Sequence, residues 1–169
     1  MANSTLNGQQ PPSSNTVGVN EAPQFAIQRI YAKDLSVETP HSPAIFQEEW
    51  KPAADVQLTA NTAKLSPDVY EVKLSITVTT KVNDKIAFLV EVHQAGIFTI
   101  ARFPEAQLNH MLGSYCPSVI FPFARELISE LIARAGFPPF YLAPINFDAL
   151  YEQHLAQQKQ QSPETATEN

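Results

Sequence analysis

The chain has 169 residues, 44% of them hydrophobic and only 17% charged, with a net charge of −6. That length suggests one domain. An acidic, charge-poor chain lacks the clustered Lys and Arg that phosphate backbones require, so nucleic acid and anionic membrane surfaces are excluded as partners and a basic protein is favoured.

Residues 1–23 are rich in Asn, Ser, Gln, Pro and Gly, with almost nothing to bury, and are expected to form a disordered tail. Met1 is followed by polar residues rather than a basic segment and an apolar stretch, so no secretory leader is read. Cys116 is the only cysteine, which rules out an intrachain disulfide and fits a reducing compartment. No apolar run approaches the length of a membrane span. The expectation is a cytoplasmic, soluble protein with no direct membrane insertion.

A folded unit is expected over residues 24–156 and opens with strands. Over residues 25–38 strict alternation places Phe25, Ile27, Tyr31, Leu35 and Val37 on one face, with Arg29 and Lys33 among them. Asp34, Ser36 and Glu38 share the other face. Residues 39–52 contain Pro40, Pro43 and Pro52 and read as a long connection carrying Trp50. A weaker strand follows over 56–65. The clearest pattern is 69–82, with Tyr70, Val72, Leu74, Ile76 and Val78 inward and charged or hydroxylated residues outward. Asn83-Asp84 supplies turn chemistry, so 85–101 pairs as a hairpin, with Phe88, Val90 and Val92 inward and Leu89, Glu91 and His93 outward. Gly96 is expected to mark a bulge or break.

Helices come next. Pro104 and Glu105 suit a first turn, Leu108, Met111, Leu112 and Tyr115 form a stripe, and Pro117 is expected to end the helix. A second helix after Pro122 carries Ala124, Leu127, Ile128, Leu131, Ile132 and Ala135 at helical spacing, a stripe that serves either core or oligomer contact. Gly136 suits its C-terminal cap. Asn146 caps a last helix with Phe147, Leu150, Tyr151 and Leu155 on its apolar side. Residues 157–169 read as a second disordered tail. Strands followed by helices imply an α+β fold, a four-stranded antiparallel sheet with helices on one face.

Catalytic signals are weak. His110 and Cys116 lack a second ligand pair for zinc, and the five glycines form no phosphate-cradling cluster. No cofactor and no metal are expected. A thiol-dependent enzyme or ligand-binding domain using Cys116 with His110 is the rival reading, although a lone buried cysteine mostly behaves as a small hydrophobe. The aromatic and proline-rich run from Leu112 to Phe147 carries more apolar surface than its few charges would suggest. It is buried by its own core, by another copy, or by a partner.

Four segments bear a family resemblance: FAIQRIYAKD (25–34), LVEVHQAGIF (89–98), YCPSVIFPFAR (115–125) and LAPINFDAL (142–150). They resemble the SecB family of bacterial protein-export chaperones over about 25–155, the whole of the expected fold. The chain departs from the family at Gln94-Ala95-Gly96, where two glycines are common. The resemblance implies an ATP-independent holdase, not an enzyme, that binds unfolded precursor proteins and delivers them to the SecA motor. It also implies a homotetramer, a dimer of dimers, with Ala124, Leu127, Ile128, Leu131, Ile132 and Ala135 at the tetramer interface. By the same match Asp34, Glu38, Leu89 and Glu91 would contact SecA, and Trp50, Leu58, Leu142, Phe147 and Tyr151 would line the client groove.

Overall fold

In the computed structural model, residues 22–161 are described. Strands β1 (Gln24–Glu38), β2 (Ala53–Ser66), β3 (Val69–Val82) and β4 (Lys85–Ala101) form one antiparallel sheet in the order β1-β4-β3-β2. The expected tail over residues 1–23 lies almost wholly outside the described residues.

β3 and β4 alternate as their sequences require: each inward residue from Val72 to Val78 is fully buried, and Phe88, Val90 and Val92 match them. Their hairpin turns on Asn83 (φ 47°) and Asp84 (φ 63°), both in the left-handed region that Asn and Asp tolerate and a twisted two-residue turn demands. The β2–β3 turn uses Pro67 followed by Asp68 at φ 60°, a position that requires φ above zero.

The first strand departs from simple alternation. Its pairing with β4 slips between Ile27 and Arg29 and again between Ala32 and Asp34. Each slip inserts one unpaired residue, Gln28 and then Lys33, and each reverses the facing of the residues after it. Arg29 and Tyr31 therefore share the outer face with Ile97 and Ala95, while Ile30 turns inward opposite Gly96. Tyr31 is not on the face of Phe25, contrary to expectation. Gly96 is no bulge either, since it pairs regularly with both Ile30 and Val72. A Cβ there would lie 2.7 Å from the Phe98 ring and 3.4 Å from Ile120 Cδ1, so the glycine makes room for the ring and the helix above it.

Helix α1 (Glu105–His110) does not end at Pro117. It passes through a π-helical turn, Met111–Tyr115, directly into α2 (Cys116–Arg134). The Cys116 N–H bonds to the Met111 carbonyl five residues back, and this widened turn places Pro117 in the first turn of α2. Pro122 lies inside α2. α2 stops in a two-bond cap: Gly136 (φ 88°) donates to Ala133 O at 3.1 Å and Phe137 to Ile132 O at 3.3 Å, which directs the Phe137 ring inward. Helix α3 (Phe147–Gln161) starts where Asn146 Oδ1 accepts the Ala149 N–H at 3.0 Å. It runs past the expected boundary at 156/157, because Gln157, Gln158, Lys159 and Gln160 are good helix formers and Gln158 Nε2 lies 2.8 Å from His154 Nε2.

The core lies between the inner sheet face and α2, where Cys116, Ile120, Ala124, Ile128 and Ile132 are fully buried. The α+β reading holds: a four-stranded antiparallel sheet with a helix packed on one face.

Candidate functional site

Two surfaces border this sheet and core. The first is the outer sheet face. Register places Glu38 opposite Leu89, Ser36 opposite Glu91 and Asp34 opposite His93, so Asp34, Glu38, Leu89 and Glu91 fall in three consecutive rows of β1 and β4. The row of Glu38 and Leu89 continues through Thr79 of β3 to Asp55 of β2. Asp55 thus joins the acidic patch; alternation beside Val56 was its only signal in the sequence. His93 Nε2 lies 2.8 Å from Glu91 Oε1, and Asp34 Oδ1 accepts the neighbouring Leu35 N–H at 2.9 Å. The opposite end of this face is internally neutralised. Lys33 Nζ sits 2.8 Å from both oxygens of Glu71, and the Tyr31 hydroxyl donates to Glu71 Oε1. Those two donors, Lys33 before Tyr31, hold the Glu71 carboxyl below its ordinary range, and the adjacent carboxylate pushes the Tyr31 phenol up.

The second surface lies beside the connection between β1 and β2. Because these are opposite edges of the sheet, residues 39–52 must cross the ends of β4 and β3. This strap plugs Ile45 into the core at 3% exposure and leaves Phe46 and Trp50 facing the segment after α2. The Phe137 ring stands 5.0 Å from Phe46, 5.7 Å from Trp50 and 5.0 Å from Phe88. Two adjoining cavities flank Trp50. One, of about 200 Å³, is walled by Phe46, Trp50, Phe137 and Pro138. The other, of about 170 Å³, is walled by Trp50, Phe88, Pro139 and Phe140 and includes Thr80, whose buried hydroxyl has no hydrogen-bond partner. An apolar cavity of about 150 Å³ can take up a benzene ring, so each of these accommodates one large side chain.

Of the five expected groove residues, only Trp50 lines these cavities. Leu58 is half-buried on the inner face of β2, opposite Ile76. Leu142 (5% exposed) and Phe147 (4%) are core residues, and the Phe147 ring stacks edge-on with Phe121 at 5.7 Å. Neither lines the two cavities beside Trp50. Tyr151 instead docks α3 on the π turn. Its ring occupies the place where a Cβ on Gly113 would be and meets His110 edge-on at 5.4 Å. Asp148 fastens the same joint, accepting from Ser114 Oγ and lying 3.1 Å from His110 Nε2. Phe46, Phe137 and Phe140 are cavity walls that sequence reasoning did not assign; for the last two, the aromatics flanking Pro138-Pro139 just after Gly136 were the available signal.

The expected interface stripe divides in the same way. Ala124, Ile128 and Ile132 are 0% exposed within one chain and face its own sheet, so they cannot touch another copy. Leu127, Leu131 and Ala135 are half-buried at the rim of the core. The far side of α2 borders a cavity of about 660 Å³ with Pro139 and Tyr141, and Phe123 is exposed.

Cys116 is fully buried, and that burial pushes its thiol up to about 12, so it stays protonated at neutral pH and is a poor nucleophile. His110 is engaged with Asp148. The thiol-enzyme reading finds no support in this geometry. Among the described residues no three His, Cys, Asp or Glu side chains gather as metal ligands, and no helix is long and apolar enough to cross a membrane.

The profile of the family described as preprotein translocase subunit SecB matches residues 19–158. The chain belongs to the SecB family. Among its relatives, the protein-export protein SecB of Idiomarina loihiensis is 57% identical over 140 residues, covering 82% of this chain and 84% of that protein. SecB of Nitrosococcus oceani is 56% identical over 141 residues (82% and 85%), and SecB of Methylococcus capsulatus is 52% identical over 139 residues (82% and 90%). A solved SecB-like chaperone of Mycobacterium tuberculosis, in complex with a ChAD peptide from the HigA1 antitoxin, shares the fold. Its TM-score is 0.60 at 16% identity, covering 72% of this chain and 90% of that one.

Proposed function

We propose that this SecB-family chain is an ATP-independent holdase. It keeps precursor proteins unfolded and delivers them to the SecA motor for export. The observation that carries the reading is the pair of apolar cavities flanking Trp50, at the edge of the core of a chain 52–57% identical to protein-export proteins. Apolar client side chains enter them and gain about 25 cal/mol per Å² of surface removed from water. Many weak segments on one unfolded chain add up through effective concentration, so no single segment needs to bind tightly.

Delivery uses the outer face. Asp34, Glu38, Leu89 and Glu91, extended by Asp55, offer a basic surface of SecA a negative patch with one apolar contact. The working form is a homotetramer, a dimer of dimers, in the cytoplasm, and it needs no cofactor. Leu127, Leu131 and Ala135, with exposed Phe123, supply its helix contacts, and half-exposed Ile27, Leu35 and Val37 on the edge strand β1 supply further apolar surface. Light scattering of a chemically denatured precursor diluted into buffer without nucleotide tests the reading. Stoichiometric protein should suppress aggregation, and unchanged scattering would refute it.

A further inference from the structure

The strap that carries Phe46 and Trp50 is fastened to the rest of the fold by polar contacts on its exposed side. Glu48, two residues before Trp50, accepts Lys85 Nζ at 2.5 Å on Oε1 and Asn83 Nδ2 at 2.8 Å on Oε2. Both donors lie at the closed end of the β3–β4 hairpin, Asn83 in its turn and Lys85 at the start of β4, and Glu48 itself borders the cavity walled by Phe46 and Phe137. His41 Nδ1 adds a second fastening, 2.9 Å from Ile86 O. The wall opposite the strap, Phe137 to Phe140, hangs from the α2 cap and has no such clasp to the hairpin among the described contacts.

We propose that Glu48 is a positioning residue for client binding: its clasp on Lys85 and Asn83 holds the strap side of both Trp50 cavities open in the free protein, so that side chains enter a preformed site. The inference rests on the proposed function. Trp50 is 37% exposed and the cavities stand open, so the wall is already placed before any client arrives. A preformed wall spares the ordering cost of binding. Releasing the clasp lets the Trp50 ring collapse onto Phe137 and Phe140 or swing out, and either movement weakens binding. The clasp is an ion pair in contact with solvent, so salt loosens it while apolar burial is hardly screened.

Trp50 is the only tryptophan, so its emission reports the strap directly. The full-length protein is titrated with an acetylated, amidated, uncharged peptide carrying two phenylalanines, at low and high salt. The wild type should show a change in Trp50 emission that saturates, with affinity falling as salt rises. Glu48→Gln and Lys85→Gln should each bind about threefold to tenfold more weakly, with no remaining salt dependence. Asn83→Gly keeps a turn residue suited to φ 47° and removes one donor, so it should fall between. The reversed pair Glu48→Lys with Lys85→Glu should recover most of the affinity, which a general loss of structure would not do. Unchanged or tighter binding in the single variants, or no recovery in the reversed pair, would overturn the clasp while leaving the holdase reading intact. A peptide that leaves wild-type Trp50 emission unmoved would overturn the cavity reading itself and the clasp with it.

Discussion

The two faces of this sheet are assembled from different information. The outer patch is a product of register: Asp34, Glu38, Leu89 and Glu91 lie on adjacent strands, and strand pairing alone aligns them. The Trp50 cavities draw on three separated segments, the strap, the β3–β4 strands and the residues after Gly136. One surface is charged and rigidly backed by hydrogen-bonded strands, and the other is apolar and built from connections. The two surfaces share no residue, so substitutions can address each one separately.

Substitutions should break the two faces separately. The largest effect is expected where the helix stripe is core. Ile128→Asp puts a charge where exposure is zero and should cost about 4 kcal/mol or more, read as loss of the folded baseline in urea melts. Leu131→Glu, at the half-buried rim, should leave the fold standing and lower the sedimenting mass. A chain that tolerates Ile128→Asp would contradict the inward assignment, and an unchanged mass for Leu131→Glu would remove the rim from the interface. Gly113→Ala comes next. Its Cβ would collide with the Tyr151 ring, so α3 should loosen, with about 1–3 kcal/mol lost and faster hydrogen exchange over α3. Glu91→Lys or Asp34→Lys should then weaken SecA at least about tenfold by calorimetry and spare client capture. Equal SecA affinity would dissolve the distinction between the faces.

The smallest effect concerns pH. Lys33 and Tyr31 hold the folded Glu71 carboxyl below its unfolded value. Its contribution is therefore present above the ordinary carboxylate range and lost as pH falls through the lowered folded value. Glu71→Gln should flatten the acid side of the stability profile by about 0.5–1 kcal/mol, since the pair is partly exposed to solvent. An unaltered slope would show that the ion pair contributes nothing.

Much of the fold is legible in the residues alone, and the misreadings share a cause. β3, β4 and their Asn83-Asp84 turn obey local rules, because both inner residues and turn conformations are set by near neighbours. In β1 simple alternation puts Arg29 and Tyr31 on the wrong side, since Gln28 and Lys33 are bulged out by pairing with β4, which the strand's own sequence does not encode. Pro117 looks like a stop because a π turn ahead of it leaves no local mark. For the site, period two groups Asp34 with Glu38 and Leu89 with Glu91, and the β1–β4 pairing then brings the two groups together. The cavity is not, because Leu142 and Phe147 resemble Trp50 in composition and only tertiary packing buries the first two and leaves the third exposed.

Site-specific photocrosslinking tests the division of labour most directly. A photoreactive phenylalanine analogue is placed at Phe140, in the cavity wall, or at Thr77, opposite Glu91 on the outer face. An unfolded precursor should crosslink at 140 and not at 77, and SecA at 77 and not at 140, with both products forming in the ternary mixture. Precursor crosslinks at 77 with none at 140 would contradict the account.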